Sequence, residues 1–127
     1  MMQTPQTDNS LPKEERLSGK TSISKLMEKG KFGKVPGLKF CYLKGNGLGR
    51  NRILVSVPKK LFRRAVKRNL LKRRLRESYR LQKSILPPET GTDMMFLYNS
   101  REIMDSKTIH EAVSTILDNI GNGEASK

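Results

Sequence analysis

The sequence is poor in the side chains that carry metal and nucleophilic chemistry. It has one cysteine, Cys41, one histidine, His110, and no tryptophan. A single cysteine excludes an intramolecular disulfide and a cysteine-based zinc site, and its place in an apolar run predicts a small buried thiol. His110 has no set of neighbouring ligands, so we expect a partly buried structural imidazole rather than a metal ligand.

Carboxylates are also scarce and are spread along the whole chain. The twelve aspartates and glutamates stand at positions 8, 14, 15, 28, 77, 89, 93, 102, 105, 111, 118 and 124, many of them in predicted tails or loops. A metal-dependent nuclease gathers carboxylates around Mg²⁺, and the sequence shows no such grouping. With one histidine and one cysteine, it also shows no set of general base and nucleophile. The residues therefore give no indication of a catalytic centre within the chain.

Long hydrophobic runs are missing as well. No segment of the sequence approaches the ~20 apolar residues that a membrane-spanning helix needs. The first residues, MMQTPQTDNSLPKEE, lack the basic start and the apolar centre of a signal peptide. We therefore expect a cytoplasmic protein that has no membrane partner.

What the chain has in excess is positive charge, and most of it lies in one segment. The 127 residues include 26 lysines and arginines against 12 acids, which gives a formal net charge of +14. Residues 59–83 hold twelve of these cations and one acid, Glu77, so this segment supplies +11 of the total. Such a surplus predicts a polyanionic partner, and nucleic acid is favoured over an anionic membrane.

The length predicts a single domain with one modest core. We expect a disordered tail at 1–15, a folded domain at 16–120 and a second disordered tail at 121–127. Hydrophobic patterning predicts an early helix after Leu17, strands at 38–44, 51–57 and 94–98, a possible extra strand around 31–36, a basic helix over 62–82 and a last helix from Asp105 or Ser106. This order predicts an α+β fold: a small α/β sandwich with one mixed sheet of about four strands, N- and C-terminal helices, and the central basic helix in a strand–helix–strand crossover.

The basic helix has two different sides. At 100° per residue, one side carries Leu71, Leu75, Ser78 and Gln82, with Tyr79 at its shoulder. The opposite side, which we call the ridge, carries Asn69, Lys72, Arg73, Arg76 and Arg80. Most charge runs are solvated faces, but solubilising helices mix signs, whereas here like charges repel at i,i+4 spacing. The ridge therefore favours nucleic-acid binding.

The type of nucleic acid is less directly indicated. A helix-turn-helix needs a second short helix about three residues away, and the predicted strand at 51–57 occupies that place. Phe40, Tyr42 and Phe96 lie on predicted strands, where they would either stack on unpaired bases or belong to the core. A structural RNA-binding module, such as a ribosomal or assembly protein, and a DNA-binding regulator are the alternatives.

The segment SVPKKLFRRAVKRNLLKRRLRESYR, residues 56–80, resembles the signature of the bacterial ribonuclease P protein component. The matching positions are Lys59, Lys60, Ala65, Arg68, Asn69, Lys72, Arg73, Arg76, Glu77 and Arg80. The early helix in RLSGKTSISKLMEKGK, the aromatic strand and the final amphipathic helix also fit, so the resemblance covers about residues 16–120. The chain departs from the family pattern at Leu70, where Arg is frequent, at Pro58, where Ser or Ala is usual, and at Ile23 and Met27, where two Phe are common.

The resemblance implies a protein subunit of a ribonucleoprotein that removes the 5′ leader from precursor tRNA. Its partners would be a catalytic RNA subunit and precursor tRNA, with no obligate protein partner, and the RNA would hold the Mg²⁺ ions and perform the hydrolysis. By the resemblance, the residues that bind the catalytic RNA are Lys59, Lys60, Arg64, Arg68, Asn69, Lys72, Arg73, Arg76 and Arg80. A cleft between the first helix and the sheet would hold the single-stranded leader, lined by Phe40, Tyr42, Ile23 and Met27. The protein itself would supply no catalytic residue.

Overall fold

The computed structural model describes residues 15–87 and 91–123 of the chain. Its helices are α1 (Lys20–Lys29), α2 (Ala65–Gln82) and α3 (Ser106–Gly123), and its strands are β1 (Lys31–Val35), β2 (Leu38–Lys44), β3 (Arg52–Ser56) and β4 (Thr92–Tyr98). A short 3₁₀ turn, Lys83–Ile85, follows α2. Apart from Glu15, the tail predicted at 1–15 lies outside the described residues, and α3 continues to Gly123, past the boundary predicted at residue 120.

The four strands form one mixed sheet in the order β1-β2-β4-β3. β1 and β4 both pair with β2 in antiparallel fashion, whereas β3 and β4 are parallel neighbours. A parallel pair needs a crossover connection, and α2 supplies it as the predicted strand–helix–strand unit. The α+β fold with one four-stranded mixed sheet and three helices is therefore confirmed, and the possible extra strand around 31–36 is β1.

A two-residue turn joins β1 to β2. Val35 pairs with Leu38, so Pro36 and Gly37 occupy the corner. Proline presets the first corner position, and Gly37 adopts the positive φ of 86° that the second position of a type II turn requires. The Gly37 carbonyl also accepts a hydrogen bond from the Asn99 N–H (2.9 Å), which holds the end of β4 beside the turn.

The sheet has a larger core on one face and a smaller one on the other. α2 and α3 cover the first face, where α3 buries Ile109, Ala112, Val113, Ile116, Leu117 and Ile120. α1 lies over the second face, where Leu17, Leu26 and Cys41 form the small core. The two long helices bury more apolar surface than α1 alone, so the bulkiest side chains of the strands belong to the first face.

Asp105 caps the N-terminus of α3. Its Oδ1 accepts a hydrogen bond from the Thr108 N–H (2.8 Å), which satisfies one of the free N–H groups of the first turn. This bond stabilises the ionised carboxylate and lowers the pKa of Asp105. His110 lies one turn further on and is exposed, so the prediction of a partly buried imidazole is wrong. The residue falls on the solvent side of the helix, next to the buried Ile109.

An ion pair fastens the start of β3 to the start of β4. Arg52 donates from Nε to Asp93 Oδ1 (2.9 Å) and from Nη2 to Oδ2 (2.8 Å), a bidentate arrangement across the parallel pair. Asn46 also donates to Asp93 Oδ1 (2.9 Å) and so attaches the loop between β2 and β3 to the same carboxylate. The side chains of Arg52 and Asp93 are 19% and 9% exposed, so solvent screens the pair only in part.

Replacing Asp93 with asparagine tests this ion pair. We expect Asp93→Asn to lower the free energy of unfolding by about 1–3 kcal/mol, because the Arg52 guanidinium keeps its place between the strands but loses its carboxylate. Urea denaturation measures the change. Asp118→Asn removes a carboxylate from the exposed side of α3 and serves as the control, with an expected change below about 0.5 kcal/mol. Equal unfolding midpoints for Asp93→Asn and the wild type would show that the pair contributes nothing.

Candidate nucleic-acid interface

α2 is docked by the side that the sequence predicted. Its buried residues are Leu71, Leu75, Ser78, Tyr79 and Gln82. The Tyr79 ring meets Phe96 of β4 edge to face, with ring centroids 6.3 Å apart, and burial raises the pKa of Tyr79. Gln82 donates from Nε2 to the His110 carbonyl (3.0 Å) and ties α2 to α3. These contacts set the rotation of the helix, so its basic side faces away from the core.

The residues predicted to bind the catalytic RNA lie on this outer side of α2 or directly before it. The exposed ones are Lys59, Lys60, Arg64, Asn69 and Arg73, and the half-buried ones are Arg68, Lys72, Arg76 and Arg80. α2 carries seven lysines and arginines and one acid, Glu77. At the usual 1.5 Å per residue, these side chains are spread over a helix roughly 27 Å long. The fold therefore gathers the predicted residues along one elongated basic surface.

Some cations of α2 are engaged by other protein groups. Arg80 forms an ion pair with Glu77, with 2.8 Å between Nη2 and Oε2. Arg74 donates from Nη1 to the Met104 carbonyl (2.7 Å) in the loop before α3. These contacts hold both side chains against the protein surface, so their donors are only partly available to a ligand.

Arg68 has a structural position besides its predicted RNA contact. Its Nη1 donates to the carbonyls of Phe62 (2.8 Å) and Arg63 (2.7 Å), the residues that lead into α2. Phe62 is itself buried against Tyr98, with ring centroids 5.7 Å apart. Arg68 therefore fixes the path of the chain between β3 and α2.

Two arginines approach each other where α2 passes the edge of β3. Arg16 forms a parallel bridge with Ile53, and the Leu17 N–H donates to the Ile53 carbonyl (2.9 Å). Arg16 and Arg76 both line a cavity of about 180 Å³ beside Leu54. Burial and, secondly, the nearby Arg16 lower the pKa of Arg76. A phosphate group at this corner would relieve the repulsion between the two guanidinium groups.

The structure separates the four residues that were predicted to line the leader cleft, so they do not share one surface. Phe40 and Tyr42 are 6% and 8% exposed, stack with ring centroids 6.4 Å apart, and belong to the larger core that α3 covers. The Phe40 ring also lies so close to Gly33 that a side chain there would collide with it. Ile23 packs in the small core on the opposite face of the sheet, and Met27 follows one turn later on α1 with 45% of its surface exposed. The two rings share one face of β2, and that face is turned to the larger core.

The face of the sheet beside α1 carries apolar side chains that the sequence did not single out. Phe32 stands opposite Cys41 in the antiparallel pair and shares its face, yet it is 63% exposed. Leu54 and Met95 are half-buried and, like Ile23, pack against the small core. The apolar runs in β2 and β4 are continuous, so periodicity cannot distinguish their two faces, and only the strand register assigns Cys41 and Met95 to this one. α1 therefore covers this face of the sheet only in part.

The described residues offer little of the chemistry that a catalytic centre needs. They contain no group of three or more His, Cys, Asp or Glu side chains placed to hold a metal ion. Cys41 donates its thiol to the Leu26 carbonyl (3.4 Å), and burial raises the pKa of Cys41 to about 11, so the group is a thiol at neutral pH. No helix in the described ranges is long and apolar enough to cross a membrane. What the fold presents is a cationic surface on α2 and a partly apolar sheet face beside α1.

Comparison with known proteins settles the family. A family model described as Ribonuclease P matches residues 11–121. The chain belongs to the ribonuclease P protein component family. The ribonuclease P protein component of Porphyromonas gingivalis is 37% identical over 114 residues, which cover 84% of this chain and 83% of the relative. That of Chlorobaculum tepidum is 36% identical over 109 residues, which cover 73% of this chain and 70% of the relative.

The fold of this family member agrees with a solved structure. The RNase P protein from Thermotoga maritima superposes with a TM-score of 0.72 at 26% sequence identity, covering 83% of this chain and 96% of that protein. The mixed α+β architecture described above is therefore the architecture of ribonuclease P proteins. The resemblance seen in residues 56–80 extends over nearly the whole described chain.

Substitution of two arginines of α2 tests whether some cations hold the fold together while others only face solvent. We expect Arg68→Ala to lower the free energy of unfolding by about 1–3 kcal/mol, because it removes charged hydrogen bonds to the Phe62 and Arg63 carbonyls. Arg73→Ala is the matched control: its side chain is exposed and makes no hydrogen bond to the described residues, so the change should stay within about 0.5 kcal/mol. Urea denaturation, which leaves the ionic strength unchanged, measures both variants. A stable Arg68→Ala would mean that this side chain does not hold the segment before α2.

Proposed function

We propose that this chain is the protein subunit of a ribonuclease P ribonucleoprotein. In that role it binds the catalytic RNA and the 5′ leader of precursor tRNA, and it promotes the endonucleolytic removal of the leader. The proposal rests chiefly on α2, which has seven cations against one acid and turns them away from the core. Family membership names the polyanion that such a surface would meet, because a protein component of ribonuclease P implies an RNA subunit.

The ridge of α2 is the surface that we assign to the catalytic RNA. Asn69 and Arg73 are exposed there, and Lys72 and Arg76 flank them with partly covered stems. Guanidinium groups suit this contact, because their planar fork can donate two hydrogen bonds to one phosphate. The like charges that repel one another along the free helix would be neutralised by the phosphates of the bound RNA. Lys59, Lys60 and Arg64 would extend the contact beyond the start of α2.

The sheet face beside α1 is the surface that we assign to the leader. Single-stranded RNA binds where unpaired bases can stack on exposed rings or apolar side chains. Phe32 offers such a ring, and Ile23 and Met27, which the resemblance had already assigned, stand on the neighbouring helix. Phe40 and Tyr42 are not part of this assignment, because they are buried in the larger core.

The chemistry of cleavage is assigned to the RNA partner. Hydrolysis of a phosphodiester with Mg²⁺ needs several oxygen ligands around each ion, and the described carboxylates do not converge in this way. Asp93 is already bound by Arg52 and Asn46, and Glu77 by Arg80. We therefore propose that the RNA subunit holds the Mg²⁺ ions, and that the protein, in the cytoplasm, supplies RNA and leader contacts only.

Reconstitution tests this function directly. The purified chain, the catalytic RNA and precursor tRNA are combined at low Mg²⁺ concentration, where RNA alone cleaves slowly. We expect cleavage at the mature 5′ end to be stimulated only when the protein and the catalytic RNA are both present. Cleavage by the protein alone, surviving treatment of the preparation with ribonuclease, would contradict the non-catalytic role. Binding to the catalytic RNA without any stimulation would favour the alternative of a structural RNA-binding module.

The leader assignment is tested with Phe32. We expect Phe32→Ala to weaken binding of precursor tRNA relative to mature tRNA by about 1–3 kcal/mol, the effect of losing one base stack. The melting temperature should not change, because the ring is 63% exposed. Leu81→Ala, which shortens a 59% exposed side chain on α2, is the matched control and should leave the preference intact. If Phe32→Ala binds precursor and mature tRNA with the wild-type ratio, the leader does not contact this ring.

A further inference from the structure

A second basic surface lies at the N-terminal end of α2, beside the ridge. The segment before the helix and its first turn form one wall, and the loop between β4 and α3 forms the other. The groove between them, which we call the entry groove, has a volume of about 630 Å³ and is lined mainly by Leu61, Arg63, Arg64, Lys67, Arg101 and Ile103. The two walls are far apart in sequence, so no local motif indicated this groove.

Hydrogen bonds hold the first wall of the entry groove in place. Arg68 donates to the carbonyls of Phe62 (2.8 Å) and Arg63 (2.7 Å), as described above. Phe62 is buried against Tyr98, and the Leu61 N–H donates to the Pro58 carbonyl (3.1 Å). The backbone that carries Arg63 is thereby fixed before any ligand binds.

The second wall is fixed equally well. The Tyr98 hydroxyl accepts a hydrogen bond from the Met104 N–H (2.9 Å) and donates to the Glu102 carbonyl, so the second half of the loop is attached at two points to one side chain. The Glu102 N–H donates to Ser100 Oγ (3.1 Å), and Arg74 of α2 donates to the Met104 carbonyl (2.7 Å). A groove with two walls that are already ordered binds a ligand at little cost in conformational entropy.

The chemistry of the entry groove combines positive charge with apolar surface. Arg63, Arg64, Lys67 and Arg101 are all exposed around it, and Glu102 is the one acid among its lining residues. Ile103 is 42% exposed and Leu61 is half-buried, so the groove offers apolar surface beside its cations. A ligand that consists of a phosphate alone would contact the cations but would leave the Ile103 side chain uncovered.

We propose that the entry groove binds an unpaired nucleotide of the catalytic RNA, an inference that rests on the function proposed above. The phosphate of the nucleotide would meet Arg63, Lys67 and Arg101, while its base would lie on Ile103 and Leu61. Paired nucleotides keep their bases inside the stack and present only phosphate and sugar. The apolar part of the groove therefore selects a nucleotide whose base is unpaired. The groove borders the first turn of α2, so one RNA can contact it and the ridge together.

Affinity for the catalytic RNA, measured without tRNA over a range of salt concentrations, tests this proposal. Arg101→Gln should weaken binding about fivefold at moderate salt and should make the slope of log K against log salt shallower by about 0.7–0.9, the value of one phosphate contact. Ile103→Ser should weaken binding about fivefold with an unchanged slope, because it removes apolar contact and no charge. Lys29→Gln, on the far side of the sheet at the end of α1, removes the same charge as Arg101→Gln and should change neither quantity.

The base contact has its own readout. Chemical modification of unpaired bases in the catalytic RNA should show one base that the wild-type protein protects and that Ile103→Ser leaves reactive. Thermal melting of each variant confirms that it is folded, and Arg63→Gln, at an exposed position on the other wall, repeats the charge test independently of the β4–α3 loop.

Each outcome decides between the proposals. Wild-type affinity, slope and protection in Arg101→Gln, Arg63→Gln and Ile103→Ser would overturn the groove, while stimulation of cleavage by the wild type would leave the proposed function standing. An effect of the arginine variants without any effect of Ile103→Ser would mean a phosphate contact only and would overturn the unpaired nucleotide. An equal effect of Lys29→Gln would show that general charge, rather than the groove, sets the affinity. Failure of the wild type to bind the catalytic RNA would remove the proposed function itself.

Discussion

The docking of α2 by its apolar side is the constraint on which the other features depend. A helix with seven cations and one acid is destabilised by like-charge neighbours, each pair costing a few tenths of a kcal/mol. Full burial of Leu71 and Leu75, with Tyr79 against Phe96, offsets this, because each large apolar side chain contributes about 1.5–3 kcal/mol. The apolar contacts thus decide that the helix forms and which way it faces. The cations are carried outward as a consequence.

The unequal covering of the sheet follows from the same packing. α2 and α3 lie on one face and take the rings of the strands into their core, whereas α1 brings only Leu26 into full burial on the other. One helix of ten residues cannot cover a four-stranded sheet, so Leu54 and Met95 stay half-buried and Phe32 stays exposed. The open face exists because the larger core is on the opposite side. The face that carries the larger core and the face that stays partly open are thus the two faces of one sheet.

The sequence was sufficient to predict the helices and strands and to distinguish the two sides of α2. Strand β2 occupies the predicted residues 38–44, and the buried side of α2 consists of the predicted residues, because helical periodicity reads a 3.6-residue repeat directly. β4 begins at Thr92, two residues earlier than expected, since its first residues are polar and are held by pairing with β2. These differences concern only the ends of elements, where tertiary contacts outweigh local composition.

What the sequence could not supply was the face of the sheet that each strand residue occupies. In LKFCYLK, four apolar residues follow one another from Phe40 to Leu43, so alternation gives no preference between the two faces. Only the pairing of Cys41 with Met95, together with α1 above them, places Phe40 and Tyr42 in the core. The sequence pattern also could not predict that the Arg68 side chain donates to two backbone carbonyls, because these bonds depend on the path of the chain before α2.

The positive charge of residues 59–83 therefore performs two different tasks. Arg68, Arg74, Arg80 and Lys83 donate to protein carbonyls or carboxylates, and their donors are used in holding the fold together. Such side chains keep their charge and still contribute to the long-range potential, which attracts a polyanion from a distance. Close contact falls to the exposed cations, such as Arg73, whose forks are open to solvent. Net charge thus sets how strongly this surface attracts a polyanion from a distance, while the pattern of internal hydrogen bonds determines which cations remain available for close contact.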